Sequence, residues 1–195
     1  MSSIDSTFQP TNARRAVFLD RDGVVNRAVV RDGKPFPPSS LDSFQLLPGV
    51  KRATEALRRA GFLIIVVTNQ PDVATGVQQR EVVDAMHRKI FAEGICDDVK
   101  ACYHTDSDNC ECRKPKPGML IEAALEWQID LRRSFMVGDR WRDVEAGKMA
   151  GCQTFFIDYK YRELCSHKPD WVVASLEEAS EVILQNLSTI EQRSN

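Results

Sequence analysis

Short runs of unbroken apolar residues recur along this chain, and each gives way to a polar cluster. Ala16–Leu19, Phe62–Val67, Ser134–Gly138 and Thr154–Ile157 are the clearest. A strand that is apolar on both faces belongs in a sheet covered by helices on both sides. Amphipathic segments separate the runs. Val50, Ala53 and Leu57 keep helical spacing behind Pro48-Gly49, and Gly61 stops that helix. Val82, Val83, Met86 and Ile90 mark a second helix over about 78–93. Further helices are predicted over 117–128, 141–149 and 176–187, and weaker strands over 99–103 and 170–173. This alternation predicts a three-layer α/β fold around a central parallel sheet. In such sheets, ligands bind beyond the carboxyl ends of the strands. Residues 27–47 show no sustained period and are expected to form a long loop.

The size fits a single domain, expected over 15–190 behind a disordered or loosely attached tail at 1–14. Lys and Arg total 26 against 28 Asp and Glu, a net charge of −2, with no basic block. That balance excludes general nucleic-acid binding. No apolar run approaches the roughly 20 residues needed to span a bilayer. Met1–Arg15 is polar and lacks the apolar core of a secretory signal, so a cytoplasmic, monomeric protein is expected.

The polar clusters that end the apolar runs carry the chemistry. Asp20 and Asp22 follow the first run in the order Asp20-Arg21-Asp22-Gly23. In extended chain, residues two apart point the same way, so the two carboxylates converge. Like charges that close need a cation or a proton between them, and Mg2+ suits oxygen ligands of this kind. Asp139 supplies a third carboxylate from another strand end, and Asp143, one helical turn on, shares its face. Thr68 can donate to phosphate oxygens, and Lys114 can offset their charge. Together these groups suit phosphoryl transfer to an aspartate, with Asp20 as nucleophile and Asp22 as acid and base.

Each motif alone has a plainer reading. Asp-x-Asp and Thr68-Asn69 are common turn sequences, and a lysine in a basic run is usually solvated. Their joint occurrence in order, each beyond a strand, favours catalysis.

Phe18–Asn26, Thr68-Asn69-Gln70, Cys112-Arg113-Lys114-Pro115 and Val137-Gly138-Asp139-x-x-x-Asp143 resemble the four motifs of the haloacid dehalogenase (HAD) phosphatases. The likeness spans about 16–160 and is narrowest toward heptose bisphosphate and histidinol-phosphate phosphatases. It implies a HAD-like, Rossmannoid fold. It implies Mg2+ on Asp20, the Asp22 backbone carbonyl and Asp139, with Asp143 in support. It further implies substrate contacts from Arg21, Asn69, Gln70, Arg113 and Arg140. The expected reaction is hydrolysis of a small phosphorylated metabolite, with heptose 1,7-bisphosphate foremost. Histidinol phosphate is the alternative, ahead of a phosphotransferase or a non-catalytic binding module. Only 45 residues separate Asp22 from Thr68, and 45 separate Thr68 from Lys114. Neither gap holds a cap domain, so loops must select the substrate. Two such stretches depart from the heptose pattern. Pro71-Asp72-Val73-Ala74-Thr75-Gly76 replaces Ser-Gly-Ile-Ala-Arg-Gly, and Arg27–Pro38 lacks a Gly-Tyr pair.

Cys102, His104, Cys110 and Cys112 put three thiols and an imidazole into eleven residues. That set suits a closed tetrahedral Zn2+ site with a structural role, in a loop with little apolar content to hold it otherwise. The related phosphatases share the ligand set. A redox pair at Cys110 and Cys112 is the lesser reading. Cys96, Cys152 and Cys165 show no ligand pattern and are expected to be ordinary thiols. His87, on a predicted helix, is expected to be a satisfied or solvated side chain.

Overall fold

The computed structural model describes residues 13–163 and 167–193. Six parallel strands form the central sheet. They are β1 (Arg15–Leu19), β4 (Phe62–Asn69), β5 (Asp98–Cys102), β6 (Phe135–Gly138), β7 (Gln153–Ile157) and β8 (Trp171–Val173). Their spatial order is β5-β4-β1-β6-β7-β8. The chain therefore builds outward from β1 to one edge and then returns to β1's other side. That reversal opens a crevice at the carboxyl end of β1, where open α/β sheets take their ligands.

Alternation along the strands sorts the core into two layers. Val17 and Leu19 of β1 and Ile64 and Val66 of β4 face one way. They pack on Leu57 of α1 (Val50–Arg59), Met86 and Ile90 of α2 (Arg80–Ala92) and Ile183 of α5 (Leu176–Arg193). Ala16, Phe18, Leu63, Ile65 and Val67 face the other way, onto α3 (Gly118–Trp127) and α4 (Trp141–Ala150). The predicted helices and strands are all present, with ends shifted by a few residues.

Two expectations change. Residues 27–47 contain a β-hairpin, β2 (Val29–Arg31) and β3 (Lys34–Phe36), joined at Asp32-Gly33. Both turn residues have positive φ, 51° and 75°, the geometry for which Asp-Gly is suited. The domain also begins before residue 15. The Arg14 N–H donates to the Gln128 carbonyl at 3.0 Å, and its carbonyl accepts from Asp130 N–H at 2.9 Å. Of the tail expected over 1–14, residues 1–12 lie outside the described residues, as does Cys165. Cys96 and Cys152 are buried thiols. Among the described residues no helix is long and apolar enough to cross a membrane.

Candidate active site

Asp20, Thr68 and Asp139 stand at or just beyond the carboxyl ends of β1, β4 and β6, three neighbouring strands. Lys114 enters from the loop before α3. Its backbone is clamped by Asn69, whose Oδ1 accepts from Lys114 N–H (3.1 Å) and whose Nδ2 donates to the Lys114 carbonyl (2.9 Å). The lysine Nζ is buried and donates to three acceptors. These are Asp20 Oδ1 at 2.7 Å, Asp143 Oδ1 at 2.6 Å and the Val67 carbonyl at 2.7 Å. Burial alone would push this ammonium down. The Asp143 and Asp20 carboxylates outweigh that and hold it above its ordinary value.

Carboxylate oxygens of Asp20, Asp139 and Asp143 lie within 4.8 Å of one another, all three buried. Burial drives Asp20 up to about 6, raised further by Asp143 and Asp22 and restrained by Lys114. Burial, then Asp20 and Asp143, raises Asp139 well above the carboxylate range. The three are not equivalent. Both oxygens of Asp143 are partnered, since Oδ1 takes Lys114 and Oδ2 accepts the Arg140 N–H at 3.0 Å. Both oxygens of Asp139 are buried without a hydrogen bond of normal geometry, although the Tyr161 hydroxyl lies near enough to favour its charge. A buried polar atom left unpaired is costly, so a carboxylate in this state suits a cation. Gly23 lines its other side. With φ +93° and an added Cβ only 1.9 Å from Asp139 Oδ2, that position admits no side chain.

Asp22 lines the same cavity as Asp20, yet its carboxylate turns away from the trio. Arg21 Nη2 reaches both of its oxygens, at 3.1 and 2.9 Å, and Asn26 Nδ2 and Gln70 Nε2 each donate at 2.9 Å. Gln70 Nε2 also donates to Thr68 Oγ1 at 2.9 Å. The convergence expected of Asp20 and Asp22 is thus limited to a shared cavity, because the chain turns at Arg21.

Three substrate contacts expected from the sequence do not reach the cavity. Arg21 is fully buried, with its guanidinium on Asp22 and His87. Gln70 is buried, and its amide is spent on Asp22 and Thr68. Arg113 points back into its own loop, onto Asp106 Oδ1 (2.7 Å) and the His104 carbonyl (3.2 Å). Asn69 and Arg140 do line the cavity, Arg140 while paired with Glu163. Arg142 lines it too, and no spacing rule singled it out. Its guanidinium donates to Asp106 at 3.0 Å and to the Lys114 carbonyl at 3.3 Å, tying the cysteine loop to the cavity wall. The hairpin supplies Pro35, Phe36 and Pro37 as an apolar lip. The enclosed volume is about 70 Å³, room for a phosphoryl group with the rest of a metabolite at the rim.

The four residues of the cysteine loop converge. Cys112 Sγ lies 3.2 Å from Cys102 Sγ and 3.4 Å from Cys110 Sγ, and His104 Nδ1 lies 3.3 Å from Cys112 Sγ. Cys102 lies 3.7 Å from Cys110 and 3.6 Å from His104. A tetrahedron with Zn–S of about 2.3 Å and Zn–N of about 2.0 Å has edges of roughly 3.5–3.8 Å. The observed separations fall at or slightly under those edges, so the donor set fits zinc.

A D-glycero-beta-D-manno-heptose-1,7-bisphosphate 7-phosphatase from Rhodopseudomonas palustris is 37% identical to this chain over 154 residues, covering 73% of this chain and 82% of the relative. The chain belongs to the HAD-like phosphatases. A family model described as HAD-hydrolase-like matches residues 111–179 of this HAD-like chain. The enzyme of the same name from Yersinia pestis is 34% identical over 188 residues, covering 89% of this chain and 97% of the relative. Among solved structures, the D,D-heptose 1,7-bisphosphate phosphatase of B. bronchiseptica, complexed with magnesium and phosphate, superposes with a TM-score of 0.75 at 31% identity. That match covers 88% of this HAD-like chain and 99% of the other.

Proposed function

We propose that this chain is a Mg2+-dependent phosphatase that removes the 7-phosphate of D-glycero-beta-D-manno-heptose 1,7-bisphosphate. The observation that carries the reading is a nucleophile-grade carboxylate, Asp20, held by a buried lysine beside the orphaned carboxylate of Asp139. The names of the relatives supply the substrate class.

An Asp20 oxygen bonds to phosphorus as the bond from phosphorus to the sugar oxygen breaks. Asp22 gives that oxygen its proton. Water then attacks the aspartyl-phosphate, Asp22 takes the water's proton, and the bond from phosphorus to Asp20 breaks. Lys114 and Thr68 face the phosphoryl oxygens, and Lys114 keeps Asp20 aimed. Mg2+ would be held by Asp20, Asp139 and the Asp22 backbone carbonyl, with Asp143 braced beside them. When bound, it would offset the negative charge on the transferring group. Zinc on Cys102, His104, Cys110 and Cys112 would fix the loop that carries Asp106, and through it Arg142. Three clustered thiolate ligands suit a reducing compartment such as the cytoplasm.

The test is phosphate release from heptose 1,7-bisphosphate beside histidinol phosphate, with Asp20→Asn as the blank. Turnover of the heptose substrate at least tenfold more efficient is expected. Equal, poor rates on both would overturn the reading.

A further inference from the structure

The fork between Arg21 and Asp22 has an anchor outside the catalytic cavity. Arg21 is a fully buried cation, and only part of its guanidinium faces Asp22. Its Nη1 meets His87 Nε2 at 3.2 Å, on the middle of α2. A guanidinium has no acceptor, so Nη1 is the donor and His87 Nε2 must carry no proton. The surroundings enforce that state. Burial first, and then the Arg21 charge, depress His87 to about 4. Asp84 and Asp22 oppose the depression, and Arg80 adds to it. His87 is itself 8% exposed, at the floor of a groove between α2 and β5 that also holds Arg80, Asp84 and Tyr103.

We infer that His87 is a positioning residue for Asp22, acting through Arg21: its neutral Nε2 fixes the guanidinium whose fork aims the acid/base carboxylate. The inference rests on the proposed role of Asp22. Without the His87 acceptor, Arg21 keeps its charge but gains a second orientation, with Nη1 seeking an acceptor elsewhere. The fork on Asp22 then loosens. Asn26 and Gln70 each give the carboxylate a single hydrogen bond, whereas Arg21 meets it through both Nε and Nη2, so Arg21 supplies most of the donors that aim it. Proton delivery to the leaving oxygen suffers, while Asp20, Thr68 and Lys114 stay in place.

The leaving group separates this role from a merely structural one. An alkyl phosphate needs a proton on its departing oxygen, whereas a nitrophenyl phosphate departs as a stable phenolate. Since kcat/KM reports formation of the aspartyl-phosphate, it depends on the acid for the first substrate and little for the second. General acid catalysis is worth about 10²–10⁴-fold. In His87→Leu, kcat/KM for a sugar phosphate should fall roughly 10- to 100-fold. For p-nitrophenyl phosphate it should fall by no more than about threefold, and His87→Gln, which keeps an acceptor, should recover most of the loss. His87→Met, a flexible side chain of similar bulk, repeats the comparison if the leucine variant does not fold. Asp22→Asn calibrates the ratio. Equal losses on both substrates, no loss on either, or failure of both variants to fold would overturn the inference. If Asp22→Asn itself leaves the ratio unchanged, the proposed catalytic role of Asp22 fails with it. A wrong substrate assignment alone would leave the ratio test intact with any alkyl phosphate the enzyme turns over.

Discussion

Removing Mg2+ should destabilise this protein far more at neutral pH than in mild acid. Asp20 ionises near pH 6 in the folded chain against 3.8 for the free group. Between those values the folded state binds more protons than the unfolded state, so stability falls as pH rises. Once both forms are ionised, the cost from Asp20 is about 3 kcal/mol. Asp139 adds in the same direction, chiefly through burial. His87 works the other way. Its folded value, about 4, lies below the ordinary 6.5, so stability rises with pH through that window, also by about 3 kcal/mol. His87 offsets part of the carboxylate cost in the metal-free protein, and a simple pH profile would blur the two. The gap between Mg2+-saturated and Mg2+-free melting curves removes His87, which contributes to each alike. About 2 kcal/mol of the Asp20 cost develops between pH 4.5 and 7.5, so at roughly 2–4 °C per kcal/mol for a chain of this size the gap should widen by on the order of 4–8 °C. The assay is thermal unfolding after dialysis into Mg2+-free buffer, without a chelator that would strip the cysteine site. Asp139→Asn should shrink the gap. A gap that is constant or narrows with pH would refute the account of the carboxylate trio.

Three further outcomes can be checked together. Asp20→Asn should reduce phosphate release to background while far-UV circular dichroism is unchanged, and it should melt higher at neutral pH because a buried charge is gone. Elemental analysis should find about one zinc per chain, and Cys112→Ser should lose it, lower the melting temperature and raise KM through the Asp106–Arg142 contact. Gly23→Ala should abolish the Mg2+ response and cost roughly 1–3 kcal/mol from the positive φ alone, read by thermal melts with and without the metal.

The fold was legible because hydrophobic period reports which faces are buried. Phe62–Val67 could only be a strand covered on both sides, and Gly49 and Gly61 bracket α1 as turn-forming residues do. The hairpin is less legible, although Asp32-Gly33 between Val-Val-Arg and Lys-Pro-Phe is a turn signal. Its strands are only three residues long and half-exposed, so they carry no period to detect. Strand ends could be placed for the same reason as strands, which is why Asp20, Thr68, Lys114 and Asp139 come together as expected.

What the pattern could not place was the direction of the polar side chains beside those positions. Arg21, Gln70 and Arg113 sit within one residue of Asp22, Asn69 and Lys114, respectively, and sequence adjacency made them resemble substrate contacts. A turn sends neighbouring side chains in different directions, and pattern does not say which. The charge balance does offer a partial rule. A carboxylate that must wait in a partly buried site needs donors, and the fold supplies them both from neighbours in sequence and from other strand ends. Asp22 takes Arg21, Asn26 and Gln70; Asp143 takes Lys114 and the Arg140 N–H. Asp139 is left without such a donor even though Arg140 follows it directly, because that guanidinium is drawn to Glu163. The carboxylate left without donors is therefore the one best suited to a cation, and the fold, by turning Arg140 onto Glu163, is what leaves it so.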